Sequence, residues 1–249
     1  MKLSIALATF NEEENIARCL ESVKDIADEI VIVDGTSMDK TVEIAKRFNA
    51  RVIIRENPPI FHINKQIAID KCTSPWILQL DADEVVSLEL GQEIKREIQK
   101  KEQDFNGFWM SRKNYFLGRF LMKGGQYPDY TIRLYKLGKA YLPQKTVHEQ
   151  AVVTGKVGYL KNSLLHYPYK DFSFYIYKWN RYCNLIADEI AHEQKTNNFL
   201  QEIVSFFGYM IMKPGHWFVT TYLRHKGFMD GWQGLVFSLF SSLRFPLSY

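Results

Sequence analysis

Residues 1–84 alternate short β-branched runs with amphipathic segments, and this alternation constrains the fold more than any other feature of the sequence. The runs "LSIALAT", "EIVIVD", "RVIIRE" and "WILQLD" are typical of strands, and the segments between them carry apolar residues at helical spacing. Strands separated by helices predict right-handed crossovers and a mostly parallel sheet covered by helices on both faces. We therefore predict an α/β fold that binds its ligands at the carboxyl ends of the strands.

The pattern becomes less regular after this region. A charged helix is predicted over 88–101, and the runs "YTIRLYKL" and "KVGYLKNSLLHYPY" indicate further strands in an aromatic, turn-rich sequence. A long helix is predicted over 171–194, with Asp171 as its N-cap. The predicted division is a main domain at 1–170, with halves at 1–100 and 101–170, and a helical C-terminal region at 171–249.

The last fifty or so residues form an apolar, aromatic tail. Its runs "FLQEIVSFFGYMIM", "WFVTTYL" and "GLVFSLFSSLRF" are interrupted by Lys213, Arg224 and Lys226, and none reaches the roughly 18 to 20 apolar residues that a membrane span needs. Aromatic segments with scattered cations are typical of helices that lie in a bilayer interface. We predict a membrane-associating extension, and the alternative is a helical hairpin packed on the core or in an oligomer of unknown size.

Composition narrows the class of protein further. The three cysteines, Cys19, Cys72 and Cys183, are far apart, which indicates neither a disulfide framework nor a zinc site. The start "MKLSIALATF" reads as a first strand, because "NEEEN" follows where a signal peptide would have a small-residue cleavage site. A net charge of +4 does not require nucleic acid, and none is predicted as a partner. We expect a cytoplasmic protein.

Acidic residues follow two of the predicted strands at the point where each strand ends. Asp34 ends the second strand, and Asp81, Asp83 and Glu84 follow "WILQL". Carboxylates spaced i and i+2 at the end of a strand can converge on one hard cation, and oxygen ligands favour Mg²⁺ or Mn²⁺. A solvated loop with unrelated acids is the simpler alternative, but a second aspartate at a neighbouring strand end favours a binding site.

Other sites that use acidic or glycine-rich loops are disfavoured. An EF-hand would need glycine where Val86 stands and glutamate where Gln92 stands. The first strand is followed by "TFNEEEN" instead of GxGxxG, and the chain has no GxxxxGK[ST], so neither a dinucleotide-binding Rossmann domain nor a P-loop is indicated. Phe10 and Asp34 can instead hold a nucleobase by stacking and hydrogen bonding, although core packing and turn capping are alternative roles.

Together these segments resemble the family 2 inverting glycosyltransferases, whose GT-A fold binds a nucleotide-diphospho-sugar in its first half. The resemblance runs through "ATFNEEENIARCLESV", "EIVIVDGTSMDKTVEIAK", "NKQIAI" and "WILQLDADE", in the family's order and spacing. It continues through "GGQYPDYTIRLYK", "VHE", "LLHYPY" and "KGFMDGWQGL", which resemble the branch that contains the WaaE-type lipopolysaccharide core glucosyltransferases.

The resemblance implies roles in binding the donor for residues of the first half. Thr9, Phe10, Glu12 and Asp34 would surround the uracil and ribose of a UDP-sugar, and Asp81 would contact the ribose or the sugar.

A second group would act near the diphosphate. Asp83 would bind the metal ion, and His148 would complete the metal's ligand shell or hold a phosphate, unless it is bonded within a turn. Asn64 and Lys65 would approach the donor, with a surface position as the alternative for Lys65. Glu84 is predicted to be a bystander.

Inverting transfer also needs a base that accepts the proton of the acceptor hydroxyl. Asp129 resembles the family's catalytic aspartate, although Pro128 stands where the family usually has glutamate, and Glu149 is the rival. Arg133 would position the diphosphate or the acceptor, or form a structural salt bridge. His166 is predicted to be structural.

The function implied is metal-dependent transfer of a hexose from a UDP-sugar to a lipid-linked saccharide, at the inner face of the cytoplasmic membrane. The alternatives are another cell-envelope or polysaccharide acceptor, a sugar-nucleotide nucleotidyltransferase and an inactive scaffold with the same fold.

Overall fold

The computed structural model describes residues 1–144, 150–194 and 199–249. It divides into two compact units, the first formed by Met1–Arg112 with Asp129–His166 and the second by Lys113–Pro128 with Tyr167–Tyr249. Residues 113–128 thus pack with the C-terminal helices, which the sequence pattern does not indicate. The domain boundary after residue 170 stays a prediction.

The first unit begins with the alternation that the sequence predicts. Four strands pair in parallel in the order β3-β2-β1-β4, and three helices connect them. The elements are β1 (Leu3–Thr9), α1 (Ile16–Val23), β2 (Glu29–Asp34), α2 (Thr41–Arg47), β3 (Arg51–Ile54), α3 (His62–Asp70) and β4 (Trp76–Leu80).

The later strands extend this sheet mainly by antiparallel pairing. They are β5 (Glu84–Val86), β6 (Gly107–Phe116), β7 (Arg119–Leu121), β8 (Asp129–Lys136), β9 (Ala140–Tyr141), β10 (Val152–Val153), β11 (Val157–Tyr159) and β12 (Leu164–His166), with helix α4 (Leu88–Gln99) after β5. The order continues β4-β8-β6-β12-β5, and β9 and β10 form a separate ribbon. Since β8 is antiparallel to both β4 and β6, the sheet is mixed, and the expectation of a mostly parallel sheet holds for its first four strands.

The central strands of the sheet are buried on both faces, and successive side chains of each strand reach opposite faces. Leu3, Ile5 and Leu7 of β1 contribute to one apolar cluster, whereas Ala6 belongs to the cluster on the opposite face. Strands β1, β2 and β4 are therefore largely apolar runs, and Asp34 and Asp81 come at the ends of β2 and β4.

The second unit is helical and has an aromatic core. Phe116 packs against Tyr175 and Phe237, with ring centroids 4.9 and 5.7 Å apart. Its elements are α5 (Phe172–Gln194), α6 (Phe199–Phe207), a π-helical turn (Gly208–Met212), α7 (Lys213–Phe218), a second π-helical turn (Val219–Arg224), a 3₁₀ turn (Gly227–Asp230) and α8 (Gly231–Ser248).

Two features of this unit bear on predictions made from the sequence. Asp171 caps α5 as expected, since its Oδ1 accepts a hydrogen bond of 2.7 Å from the Phe174 amide. Within the part of the chain that the structure describes, no helix is both long and apolar enough to cross a membrane.

The motif "KGFMDGWQGL" holds the second unit together. Asp230 is buried, and its two carboxylate oxygens accept hydrogen bonds from the Met122 and Lys123 amides at 3.2 and 2.7 Å. Gly234 lies so close to the preceding turn that a Cβ atom there would be 1.9 Å from the carbonyl oxygen of Gly227. The glycines of this motif therefore have a packing role.

Gly234→Ala is expected to lower the free energy of unfolding by about 3 kcal/mol, at the upper end of the usual cost of overpacking, because the obstructing atom is backbone. Gly215→Ala is the matched control, since a Cβ at this helical position meets nothing within 4 Å and should stabilise by about 0.5 to 1 kcal/mol. Urea unfolding followed by circular dichroism measures both. Equal stability of the two variants would contradict the close packing.

Candidate active site

The first two loops of the sheet are joined by hydrogen bonds at the carboxyl ends of β1 and β2. Thr9 and Asp34 are register partners, and the Thr9 hydroxyl donates to Asp34 Oδ2 at 2.8 Å. The Ser37 amide and hydroxyl donate to the two oxygens of the same carboxylate, at 2.8 and 2.6 Å. Asp34 is completely buried, so its carboxylate organises the loop that follows β2.

Phe10 and Glu12 lie in the loop after β1. The Phe10 side chain is 42% exposed, which leaves its ring accessible for stacking. The Glu12 amide donates to Thr41 Oγ1 at 2.7 Å, and its carboxylate accepts from Asn15 at 2.9 Å. Both residues therefore lie at the strand end where the sequence predicts donor binding.

Asp81 lies directly after β4 between two cations. Its carboxylate forms ion pairs with Lys65 and with Arg133, the latter at 2.6 Å. Burial alone would raise the pKa of Asp81, but Arg133 and Lys65 outweigh this effect and hold the pKa well below its usual range. Asp81 is therefore a carboxylate already compensated by protein cations.

Glu84 is the centre of a buried ionic network and not the bystander that the sequence suggests. It is fully buried, and its Oε1 accepts from Arg133 at 2.8 Å and from Arg112 at 3.4 Å. Its Oε2 accepts from the Asp81 amide at 2.9 Å. Arg133 also donates to Gln79 at 2.5 Å, so this network fixes the turn that carries Asp81 and Asp83.

Lys65 and Asn64 are buried on helix α3. Lys65 is 6% exposed and lies over the Phe61 ring, with its Nζ 4.6 Å from the ring centroid, so the alternative of a surface position for this lysine is wrong. Asn64 donates to the backbone oxygen of Glu56 at 2.9 Å. Helix α3 thus brings a cation to the acidic turn.

Asp83 lies apart from the cations and beside a histidine. Its Oδ2 is 3.4 Å from Nε2 of His166, and both side chains are partly exposed. The proximity follows from the antiparallel pairing of β5 with β12, in which His166 is the register partner of Glu84. The sequence gives little signal for this contact, because β5 has three residues and its partner comes about 80 positions later.

Asp129 begins β8 and contacts Arg112 on the neighbouring strand. Arg112 Nε and Nη2 donate to Asp129 Oδ2 at 3.0 and 2.7 Å, and Nη1 reaches Glu84. Arg112 therefore connects the candidate base to the buried network, a role that sequence reasoning missed. The rival base Glu149 and the candidate metal ligand His148 lie outside the described residues.

The side chains at the carboxyl ends of the strands could serve as ligands of a cation that takes most of its other ligands from the substrate. Among residues 1–144, 150–194 and 199–249, no three His, Cys, Asp or Glu side chains are arranged to hold a metal ion. Mg²⁺ and similar ions commonly use one or two carboxylates together with substrate phosphates and waters. Asp83, with its oxygen near His166, fits that pattern, whereas the oxygens of Asp81 are bonded to Lys65 and Arg133.

The fold is that of a nucleotide-sugar transferase. It combines four parallel strands, acidic residues in the loops that follow them, and antiparallel strands that complete the sheet. Residues 4–164 match the family described as Glycosyl transferase family 2. The chain belongs to this family and is a glycosyltransferase.

Individual proteins support the same assignment. A glycosyltransferase of Rickettsia prowazekii is 31% identical over 80% of this chain and 71% of its own length. The lipopolysaccharide core biosynthesis glycosyltransferase LpsC of Rhizobium meliloti is 28% identical over 98% of this chain and 92% of its own length. The structure of Staphylococcus aureus TarS 1–349 in complex with UDP-GlcNAc has the same fold, with a TM-score of 0.51, 16% identity and coverage of 98% of this chain and 80% of TarS.

Proposed function

We propose that the protein transfers a hexose from a UDP-sugar, with inversion at the anomeric carbon, to a lipid-linked saccharide such as lipopolysaccharide core. The observation that carries this proposal is the separation of the two aspartates of the acidic turn. Asp81 is neutralised by Lys65 and Arg133, whereas Asp83 faces His166 and is partly exposed. Asp83 is therefore the carboxylate of this turn best placed to hold a cation against a diphosphate.

The donor would bind along the loops that follow β1, β2 and β4. We infer that Phe10 stacks on the uracil, because its ring is exposed, and that Thr9, Glu12 and Asp34 shape the pocket for base and ribose. Asp34 would act chiefly by holding its loop, since its oxygens already accept three hydrogen bonds. TarS, which shares the fold, is known in complex with UDP-GlcNAc, which supports a UDP-linked donor.

In this proposal His166 takes a role beyond the structural one that the sequence predicts, because it lies beside Asp83. Asp83 and His166 would hold Mg²⁺ or Mn²⁺, with His148 as a further candidate. The ion would supply positive charge to the diphosphate as the bond to the sugar breaks. Lys65 and Arg133 would keep the turn rigid and add positive charge nearby, while Asn64 would hold the segment before α3.

Asp129 is the proposed general base, with Glu149 as its rival. In the transfer step the acceptor hydroxyl oxygen attacks the anomeric carbon, its proton passes to the carboxylate and UDP leaves with the bonding electron pair. Arg112 would orient Asp129 through its two hydrogen bonds to Oδ2. Arg112 is thus a positioning residue.

The acceptor and the location are proposed from the C-terminal unit and from the relatives. Phe199, Leu200 and Val204 of α6 are each more than 70% exposed, and such contiguous apolar surface is typical of membrane or protein contacts. LpsC is named for lipopolysaccharide core biosynthesis. We therefore place the protein at the inner face of the cytoplasmic membrane, where a lipid-linked acceptor would be available.

UDP release tests the proposed reaction. The purified full chain should slowly hydrolyse at least one of UDP-glucose, UDP-galactose and UDP-N-acetylglucosamine, lose this activity with EDTA and regain it with Mn²⁺. Diphosphate release from UTP and a sugar phosphate would instead identify a nucleotidyltransferase. Release of neither product, together with transfer to no lipid-linked saccharide, would indicate a scaffold.

A further inference from the structure

A cavity of about 300 Å³ lies within the C-terminal unit between helices α5 and α8. Aromatic rings form most of its wall, and two cations complete it. The residues that matter for its chemistry are Tyr175, Lys178, Trp179, Tyr182, Phe237 and Arg244. Its size lies at the lower end of the range typical of small-molecule sites, and no carboxylate is among the described residues that line it.

Arg244 is a cation without a counter-ion in the described part of the chain. Its guanidinium carbon lies 4.5 Å from the centroid of the Trp217 ring and 4.9 Å from that of Phe245. Its Nε is buried and has no hydrogen-bond partner among the described residues. Burial lowers the pKa of Arg244, although arginine stays protonated at neutral pH, so the site favours a bound anion.

Lys178 supplies a second positive charge from the other helix. Its Nζ donates one hydrogen bond of 3.0 Å to the backbone oxygen of Pro168 and lies 4.8 Å from the centroid of the Phe174 ring. Because an ammonium group has three donors, it can also bind an anion. Two cations from opposite helices therefore line one aromatic cavity.

Apolar side chains continue from the cavity onto the surface of both helices. Leu185 follows Tyr182 by three residues and is 54% exposed, and Leu247 follows Arg244 by three residues and is 62% exposed. Residues three apart are neighbours on a helix face. A ligand with an aliphatic chain would thus find apolar contacts inside the cavity and along the adjoining surface.

We propose that this cavity binds an anionic membrane phospholipid. The phosphate would contact Arg244 and Lys178, and part of an acyl chain would pack against Tyr175, Trp179 and Phe237. Charge complementarity and the adjoining exposed leucines favour a lipid over a free anion or a sugar. The site lies outside the proposed donor site and does not depend on the identity of the donor.

Monomeric dihexanoyl phosphatidylglycerol, added below its critical micelle concentration, tests the proposal with the full chain. Binding is measured by the change in tryptophan fluorescence. The signal from the cavity is the part of this change that the Trp179→Phe variant lacks. The zwitterionic dihexanoyl phosphatidylcholine and inorganic phosphate should each bind at least about tenfold more weakly, because one lacks the net charge and the other lacks the chain.

Variants locate the phosphate contact. Arg244→Gln and Lys178→Gln should each weaken phosphatidylglycerol binding about tenfold, the effect expected for loss of a charge-assisted hydrogen bond. Arg181→Gln is the matched control, since it removes the same charge from an exposed position of α5 and should stay within about twofold. Lys178 is exposed, so its variant remains informative if Arg244→Gln does not fold.

Three outcomes would overturn the proposal. Equal binding of the two dihexanoyl lipids would show that charge is not recognised, and equal binding of inorganic phosphate would identify a simple anion site. Equal effects of the three substitutions would place binding elsewhere. UDP release is measured on the same preparations, and lipid binding without UDP release would contradict the proposed function while leaving this site intact.

Discussion

Asp83→Asn is expected to lower the rate of UDP release from the preferred donor by at least about 100-fold, the usual consequence of removing a group that stabilises charge in the transition state. The substitution keeps the size of the side chain and removes the charge that would hold a cation. Because Asp83 forms no ion pair with Lys65 or Arg133, its loss should leave the buried network intact. Thermal unfolding should therefore change little.

The response to metal distinguishes this role from a structural one. His166→Gln should raise the Mn²⁺ concentration needed for half-maximal activity by about 10- to 100-fold, as for other groups that support a metal ion. Asp25→Asn is the control, since Asp25 is exposed in the turn before β2, at the opposite end of that strand from Asp34. Unchanged UDP release and unchanged Mn²⁺ dependence in Asp83→Asn would refute the metal site.

Arg133→Met is expected to lower the free energy of unfolding by about 3 to 5 kcal/mol, the cost of breaking a buried ion pair by removing one partner. The variant leaves Lys65 as the cation paired with Asp81, and it leaves Glu84, which is fully buried, with the Asp81 amide and the longer ion pair to Arg112. Urea unfolding followed by circular dichroism and by tryptophan fluorescence measures the loss.

Arg47→Met provides the comparison, because Arg47 is 69% exposed in its pair with Glu43 on α2. Exposed pairs contribute about 0.5 kcal/mol, and methionine has a similar helix propensity. Adding Glu84→Gln to Arg133→Met should recover about 1 kcal/mol, since contacting residues couple by this amount and the unpaired charge is removed. A loss below that of Arg47→Met would show that Arg133 does not stabilise the acidic turn.

The positions of the local elements could be read from the sequence because burial on both faces leaves a simple pattern. The strands β1, β2 and β4 are apolar runs that end at Thr9, Asp34 and Leu80. Parallel pairing then brings Thr9 and Asp34 together and places Asp81 beside them along the same edge. The predicted roles of these residues in donor binding stay predictions.

The contacts across the later strands could not be read in the same way. Arg112 meets Asp129 through the register of β6 and β8, and His166 meets Asp83 through the register of β5 and β12. In a hairpin the turn fixes the register, but neither of these strand pairs is joined by a short turn, so their register could not be read along the chain. The prediction that Glu84 is a bystander is wrong for the same reason, because its partners Arg112 and Arg133 come from these later strands.

Strand β8 is synthesised later than its partner β4, and this delay affects how the protein folds in the cell. Strand β8 pairs with β4, and its Arg133 neutralises acids that are made about fifty residues earlier. At about 5 to 20 residues per second, several seconds pass between translation of the acids and of their partner. During that interval one edge of β4 is unpaired and the acidic turn is hydrated. The first half of the sheet can therefore be completed only after β8 has been synthesised.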